Sequence, residues 1–453
     1  MIVRPFRCRL PNCRQRDPRP TERRHERTIG GPELLVVLVV AFWPAAGLGE
    51  RGLTLDQAIR RCLSNPKLLA GREVVNQARA DARTASLLPN PSLSVEGSLL
   101  PLSRRYTVDE PGGPTELSAG LRYPIDSLLF GKRSAAVASA EMGVGVAEAE
   151  LADLARRRTT DTAQSFYGVL EAEALLGVAR QAVSHLEQVE AAIKKAVASG
   201  GRPQVELNRV RLELQSARRE ERSAMTAVIA TKASLLALLG GGGSARSLTL
   251  AGSLDGPLTA KPLPVEAACA LAAKNRPDIL ALRKKALKAQ REVVVERRNA
   301  LPETALGLGV AHQFQRSIGA PDVTAWGASI EVALPLFNRN QGNRAKAASA
   351  AAQSEHELQA ALVELRAEVE QAVQSLTTAR ENARAVAQTE LGLASQVRDS
   401  FRKAYEVGGR SLVEFLDAQR SYRETYRAFV TSRADYWRSL CRYNSSLGKK
   451  VAP

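Results

Sequence analysis

The residue types that carry covalent or metal chemistry are few and scattered in this chain of 453 residues. Four histidines, His25, His185, His312 and His356, form no cluster with the five cysteines. Cys8 and Cys13 lie near the start, and Cys62, Cys269 and Cys441 stand far apart, without the spacing of a metal site or a disulfide framework. Gly240-Gly241-Gly242-Gly243 lacks the Lys-Ser/Thr that follows the glycines of a phosphate loop. With no nucleophile motif either, no enzyme activity, cofactor or resident metal is expected, and the three later cysteines are expected to be buried small hydrophobes. What remains is charge at two turns: Gly200-Gly201-Arg202 with Val205-Glu206, and Gly408-Gly409-Arg410 with Val413-Glu414 and Asp417. Glu414 and Asp417 lie one helical turn apart on one face.

The elements that must position these residues are helices. Aromatic residues make up only 4% of the chain, while Ala, Leu, Glu, Arg and Val dominate, a composition of long helices and coiled coil rather than of an enzyme core. The formal charge of +17 would suggest nucleic acid if it were clustered. It is spread instead, partly over an Arg-rich N-terminus and otherwise alternating with Glu, as from Arg218 to Arg222, which describes solvated helix faces and no nucleic-acid partner.

Self-similarity organises the chain. Asn65-Pro66, Leu88-Pro89, Tyr123-Pro124-Ile125 and Gly131-Lys132-Arg133 are answered by Asn275-Arg276-Pro277, Leu301-Pro302, Leu334-Pro335-Leu336 and Gly342-Asn343-Arg344, at offsets of 211, 213, 211 and 211 residues. The two Gly-Gly-Arg turns follow at an offset of 208. Each half begins with a helix, over 55–87 or 265–299, ended by a Leu-Pro pair. Two strands follow, Ser92 to Glu96 and Glu116 to Tyr123 in the first half, Leu306 to Phe314 and Trp326 to Leu334 in the second. In them apolar residues recur with period two, the signature of membrane β-strands. Long helices without proline then span 132–199 and 344–407, each about 100 Å at 1.5 Å per residue. Shorter helices return over 204–240 and 411–447. The two shorter helices of each half together nearly match the long one, so they are expected to stack end to end beside it and build a tall helical wall. The Gly/Ser/Pro-rich stretch 241–264 reads as a linker with a short strand at Ser247 to Leu250.

At the N-terminus nine arginines precede an apolar run from Leu34 to Trp43, followed by small residues. The run is too short to span a bilayer and reads as a signal peptide over 1–49. No Cys ends it, so no lipid anchor is expected. The expected organisation is a signal peptide at 1–49, a first repeat at 50–240, a linker at 241–264, a second repeat at 265–448 and a tail at 449–453. No later apolar stretch reaches eighteen residues, so membrane insertion must use strands.

Over nearly the whole mature chain the sequence resembles the outer-membrane efflux protein family that includes TolC. The resemblance rests on Leu53-Thr-Leu-Asp-Gln-Ala58 with Asn65-Pro66, Leu88-Pro89-Asn90-Pro91-Ser92-Leu93, Pro335-Leu336-Phe337, and Tyr405-Glu-Val-Gly-Gly-Arg-Ser-Leu-Val-Glu-Phe-Leu-Asp-Ala-Gln419. The Leu-Pro-Leu-Phe and Gly-Lys-Arg features look most like the heavy-metal efflux (CzcC-type) branch. The resemblance implies a mainly α protein with membrane β: a homotrimer with four strands per subunit in a twelve-stranded outer-membrane barrel, above a helical tunnel through the periplasm. It implies export of heavy-metal cations or small toxic molecules, with a periplasmic adaptor (membrane fusion protein) and an inner-membrane pump of the RND type as partners besides outer-membrane lipid. It further implies a periplasmic gate of Glu206, Tyr405, Arg410, Glu414 and Asp417, in which Arg410 and Tyr405 hold Glu206. Adaptor-contacting tips are implied at Gly200, Gly201, Arg202, Gly408, Gly409 and Leu412. A periplasmic coiled-coil adaptor or scaffold shares the long hairpins, and a type I secretion channel shares the fold; both stay open at this point.

Overall fold

The computed structural model describes residues 52–103, 106–110 and 112–449; the expected signal peptide at 1–49 and residues 450–453 of the tail lie outside the described residues. The chain runs α1 (Leu55–Cys62), α2 (Pro66–Ser86), β1 (Ser92–Ser98), β2 (Thr115–Pro124), α3 (Asp126–Leu129), α4 (Lys132–Ala198) and α5 (Gln204–Leu238). It continues with α6 (Val265–Asn275), α7 (Pro277–Asn299), β3 (Glu303–Phe314), β4 (Val323–Ala333), α8 (Gln341–Ala385), α9 (Leu391–Glu406) and α10 (Leu412–Ser446).

Two expected helices are broken. The helix read over 55–87 stops at Cys62 and restarts at Pro66, and that read over 265–299 stops at Asn275 and restarts at Pro277. Proline excludes its predecessor from the helical region, so Asn65 (ψ 140°) and Arg276 (ψ 125°) are extended while each proline takes the first helical position of the next helix. The long helix read over 344–407 is also interrupted, by a π turn at Val386–Glu390 that joins α8 to α9. Such a turn widens the helix by one residue and redirects it. By contrast α4 runs unbroken for 67 residues, about 100 Å.

The shorter helices meet end to end. At the end of α5, Gly240 takes φ +94° and the Gly241 N–H bonds Leu236 O at 3.0 Å. This Schellman turn abuts α2, where the Asn65 amide donates to Leu238 O at 2.8 Å. At the end of α10, Gly448 takes φ +68°, and a Cβ there would lie 2.8 Å from the Asn275 carbonyl carbon. Only glycine allows that approach. Thus α2 and α5 form one column along α4, and α7 and α10 form a second along α8 and α9; side by side the order is α2, α4, α7, α8.

The four strands form one antiparallel sheet in the order β1-β2-β3-β4. The register puts Leu93, Leu121 and Leu308 in one row, Val95, Ala119, Val310 and Trp326 in the next, and Tyr123, Leu306 and Ile330 in a third, giving one continuous apolar face. The opposite face carries Ser94, Ser118, Gly120, Gly307, Gly309 and Ser329 with a few charges. There Arg122 reaches over Gly307 to Glu331 at 2.8 Å. All four helix-side strand ends, Ser92, Pro124, Glu303 and Ala333, fall at the same edge of the sheet. The strand expected at 247–250 reduces to one parallel bridge, Leu53 with Leu250.

Buried side chains gather in clusters along the helical wall. One packs Phe166, Tyr167, Leu235 and Trp437 and includes Cys62 and Cys441, as expected of buried cysteines. Burial pushes the Cys441 thiol up to about 12. Cys269 is only half-buried, because α6 is covered on one side alone. Where α6 breaks into α7, Arg276 is 7% exposed and grips Asp278 through two bonds (3.0 and 2.6 Å) and Glu368 of α8 at 2.7 Å. Arg156 of α4 stands 3.8 Å from Asp278 and bonds Asp153 at 2.7 Å and the Ser445 carbonyl at 3.0 Å. This network ties α4, α7, α8 and the end of α10 at one level.

Candidate functional site

At the end of the wall farthest from the sheet, α4 turns into α5 and α9 into α10. Both turns have the same construction. Gly200 (φ +75°) and Gly408 (φ +77°) sit in the left-handed region, and the next glycines donate back to Ala196 O and Ala404 O, each at 2.8 Å. These are paired Schellman turns, which reverse the chain within a few residues while satisfying the last helical carbonyls. Nothing lies within 4 Å of a Cβ built at Gly200 or Gly408, so the tips face open space. The returning helix α10 starts with a capping box, Ser411 Oγ accepting from the Glu414 N–H at 3.4 Å and Glu414 Oε2 accepting from the Ser411 N–H at 2.9 Å.

The charges pair differently from the expectation. Arg410, in the turn just before α10, binds Glu414 at 2.7 Å, four residues on, and not Glu206. Glu206 receives Arg202, also four residues away, at 3.6 Å. A four-residue step on one helix face is short enough for each arginine to find its own glutamate first. That spacing was legible in the sequence. At the tips the hairpins meet through an aromatic ring: the Arg202 guanidinium lies 4.7 Å over the Tyr405 ring, and Tyr405 stacks on Phe415 at 5.4 Å and 7°. Burial pushes the Tyr405 hydroxyl up; Arg202 opposes this and the Glu206 carboxylate reinforces it. Tyr405 and Glu206 are thus neighbours, although Glu206 Oε2 is buried without a well-aligned hydrogen bond. The Glu414 carboxyl is held below its usual range, first by the Ser411 backbone N–H and then by the Arg410 guanidinium. Asp417 is exposed, with Arg420 3.9 Å away.

Leu412, expected at the surface of the tip, is 2% exposed and packs with Val183, Leu186, Leu207 and Phe415. As the first residue of α10 it faces inward between the hairpins, and so cannot offer a contact to another protein. The apolar residues that the tips do display are Val205 (74% exposed) and Val407 (83%), which sequence reading passed over; a valine beside a glycine turn is the signal that could have found them. Farther up, Arg420 reaches Glu213 at 2.8 Å and Arg427 reaches Glu220 at 2.7 Å, a ladder between α10 and α5 at seven-residue spacing. Beside it a cavity of about 320 Å³ is lined by His185, Arg398, Arg402 and Arg423. Burial first, then these three guanidiniums, hold the His185 imidazole below its usual value, and its ring meets Phe415 edge-on at 6.3 Å. Among the described residues no group of His, Cys, Asp and Glu could hold a metal ion.

The profile of a family described as "Outer membrane efflux protein" matches the chain twice, over residues 60–241 and 269–449. The chain is 27% identical over 384 residues to the cobalt-zinc-cadmium resistance protein CzcC of Cupriavidus metallidurans, covering 84% of this chain and 86% of that protein. Among solved structures it is similar to the outer membrane protein VceC of Vibrio cholerae, with a TM-score of 0.71, 21% identity and coverage of 88% of this chain and 97% of that one. The open state of the MtrE outer membrane channel of Neisseria gonorrhoeae matches with a TM-score of 0.70, 18% identity and coverage of 87% and 89%.

Proposed function

Because this chain belongs to the outer membrane efflux protein family, we propose that three copies close a twelve-stranded barrel in the outer membrane and a helical tunnel below it. The observation that carries this reading is the sheet. Among the described residues its two outer strands, β1 and β4, have no strand beyond them, and its apolar face is bare, with Leu93, Trp326 and Ile330 each more than 70% exposed. A bilayer does not tolerate open edges, and an apolar face of this size belongs in lipid. Closing the sheet with copies of itself satisfies both demands and turns the Ser/Gly/Ala face toward a water-filled lumen. The two halves, 50–240 and 265–448, then contribute equivalent walls joined by the linker 241–264.

The channel works as the outer-membrane part of a tripartite efflux system, with an inner-membrane pump and a periplasmic adaptor, and its cargo is heavy-metal cations. The likeness to the cobalt-zinc-cadmium resistance protein supports the cargo. Val205 and Val407 with the open glycine turns offer the adaptor contact. Deleting the gene is expected to sensitise cells to zinc or cadmium, with rescue by the intact chain; unchanged tolerance to these metals, with raised sensitivity to organic toxicants, would redirect the cargo assignment.

At the turns, Glu414 and Asp417 from three copies form carboxylate rings. Replacing both by alanine is expected to lower the cation-over-anion permeability ratio several-fold in a planar bilayer. Glu414 is held below the ordinary carboxylate range near 4.3, so the selectivity persists from neutral pH down into the acid range and is lost only below it. A ratio unmoved by the double substitution removes these residues from the ion path. Arg202 with Tyr405 ties the two hairpins together at their tips. Arg202→Ala should therefore raise single-channel conductance more than Arg410→Ala, whose partner lies in its own hairpin. The opposite order would place the closing contact elsewhere.

A further inference from the structure

A set of unpaired cations stands at the junction between sheet and helices. Because all helix-side strand ends share one edge of the sheet, the segments that enter and leave it are gathered there: the end of α2, the end of α7 and the start of α8. They carry Arg83, Arg297, Arg298, Arg339, Arg344 and Lys346, all exposed. None of the six has an ion-pair partner among the described residues, whereas arginines and lysines farther along the same wall are matched, as in Arg79 with Glu148 and Lys285 with Glu357. Of the carboxylates nearby, Glu331 pairs with Arg122, Asp126 with Lys132 and Glu296 with the Asn340 amide at 2.6 Å, and neither Asp81 nor Glu303 reaches any of the six. Apolar side chains stand beside the cations with nothing over them, Leu87 (63% exposed), Leu88 (52%), Leu336 (63%) and Phe337 (92%).

Exposed leucines and a phenylalanine flanked by guanidiniums without ion pairs, at the edge of an apolar sheet face, match one surroundings in chemistry: the boundary of a bilayer, with acyl chains on one side and phosphates on the other. We propose that this junction is a binding collar for anionic phospholipid headgroups of the leaflet that faces the periplasm, with the six cations holding phosphates and the apolar residues seated among the upper acyl chains. The collar accounts for part of the +17 charge that neither the gate nor nucleic acid explains. It would hold the trimer at a fixed height in the membrane. The inference rests on the barrel reading above.

The test reconstitutes the protein into phosphatidylcholine vesicles containing phosphatidylglycerol and counts, by mass spectrometry, the lipids retained after mild detergent extraction. Each cation near an anionic surface shifts partitioning roughly fivefold at low salt, so phosphatidylglycerol should be enriched at least tenfold over its share of the vesicle, less so as salt rises. Replacing Arg297, Arg298, Arg339 and Arg344 by glutamine should bring retention close to parity, while replacing the same four by lysine should keep the enrichment. Parity in the unaltered protein, or undiminished enrichment in a glutamine variant that still forms heat-modifiable trimers, overturns the collar. Should the fourfold variant fail to trimerise, Arg339→Gln and Arg344→Gln singly are read by the same criterion. A protein washed from vesicles by carbonate would instead defeat the barrel reading, so the two failures are distinguishable.

Discussion

Arg276→Met is expected to cost about 3–5 kcal/mol of folding stability, the usual penalty for removing one partner of a buried ion pair. The methionine fills much of the same volume, so the loss is electrostatic. Burial alone would raise the Asp278 carboxyl, but the Arg276 guanidinium, with help from Arg156, overrides this and holds it below its ordinary value. A carboxylate with a depressed value stabilises the folded chain fully above the unfolded value near 3.9 and loses that contribution as pH falls through the folded value. In the variant burial is opposed only by Arg156 and the Ile279 N–H, so the depression of Asp278 shrinks and with it the stability that the carboxylate gives above its unfolded value. The gap between the two proteins should therefore be widest at neutral pH and narrow in acid. Thermal unfolding followed by circular dichroism at pH 4 and pH 7 reads it directly. Adding Asp278→Asn to the variant should restore part of the loss at pH 7, because the buried charge is gone. A single substitution that leaves the melting curve in place would mean that water enters the network and screens it.

Leu308→Arg addresses the sheet. Leu308 lies midway along β3 on the apolar face, in register with Leu121 on one side and Ala328 on the other. In the proposed barrel this face meets lipid, where an arginine near the bilayer midplane costs about 2–4 kcal/mol per subunit, so a heat-modifiable oligomer band should be largely lost. Ala311 is three residues away on the opposite face, between Ser118 and Ala325. Ala311→Arg should assemble normally and shift conductance toward anions. If both variants assembled alike, the apolar face would not be in lipid; if Ala311→Arg alone failed, the faces would be assigned the wrong way round.

Much of this architecture was legible because it rests on local rules. Proline stops helices wherever it occurs, glycine in the left-handed region ends them, and alternation of period two survives in strands whose neighbours are unknown. The four strands, the unbroken 67-residue α4 and both glycine turns follow from those rules. The same rules, applied more strictly, would have found the breaks at Asn65-Pro66 and Arg276-Pro277, since those prolines were already noted as landmarks. The π turn at Val386–Glu390 had no such signal, for Val-Ala-Gln-Thr-Glu is compatible with ordinary helix and the widening depends on what α8 packs against.

The site divides in the same way. From its residues alone, the sequence pointed to a mainly helical chain with four alternating strands, two similar halves and charge at two glycine turns, because composition and spacing need no third dimension. Which charges pair was decided only in the tertiary structure. Arg410 and Glu206 are compatible partners by type, but Arg202 lies one turn from Glu206 and Arg410 one turn from Glu414, so each hairpin closes its own ion pair. The contact across the hairpins passed instead to Arg202 on the Tyr405 ring, and Leu412 was drawn inside beneath it. Ring stacking and burial depend on distances between helices more than 200 residues apart in the chain, and those distances exist only once the two halves have packed.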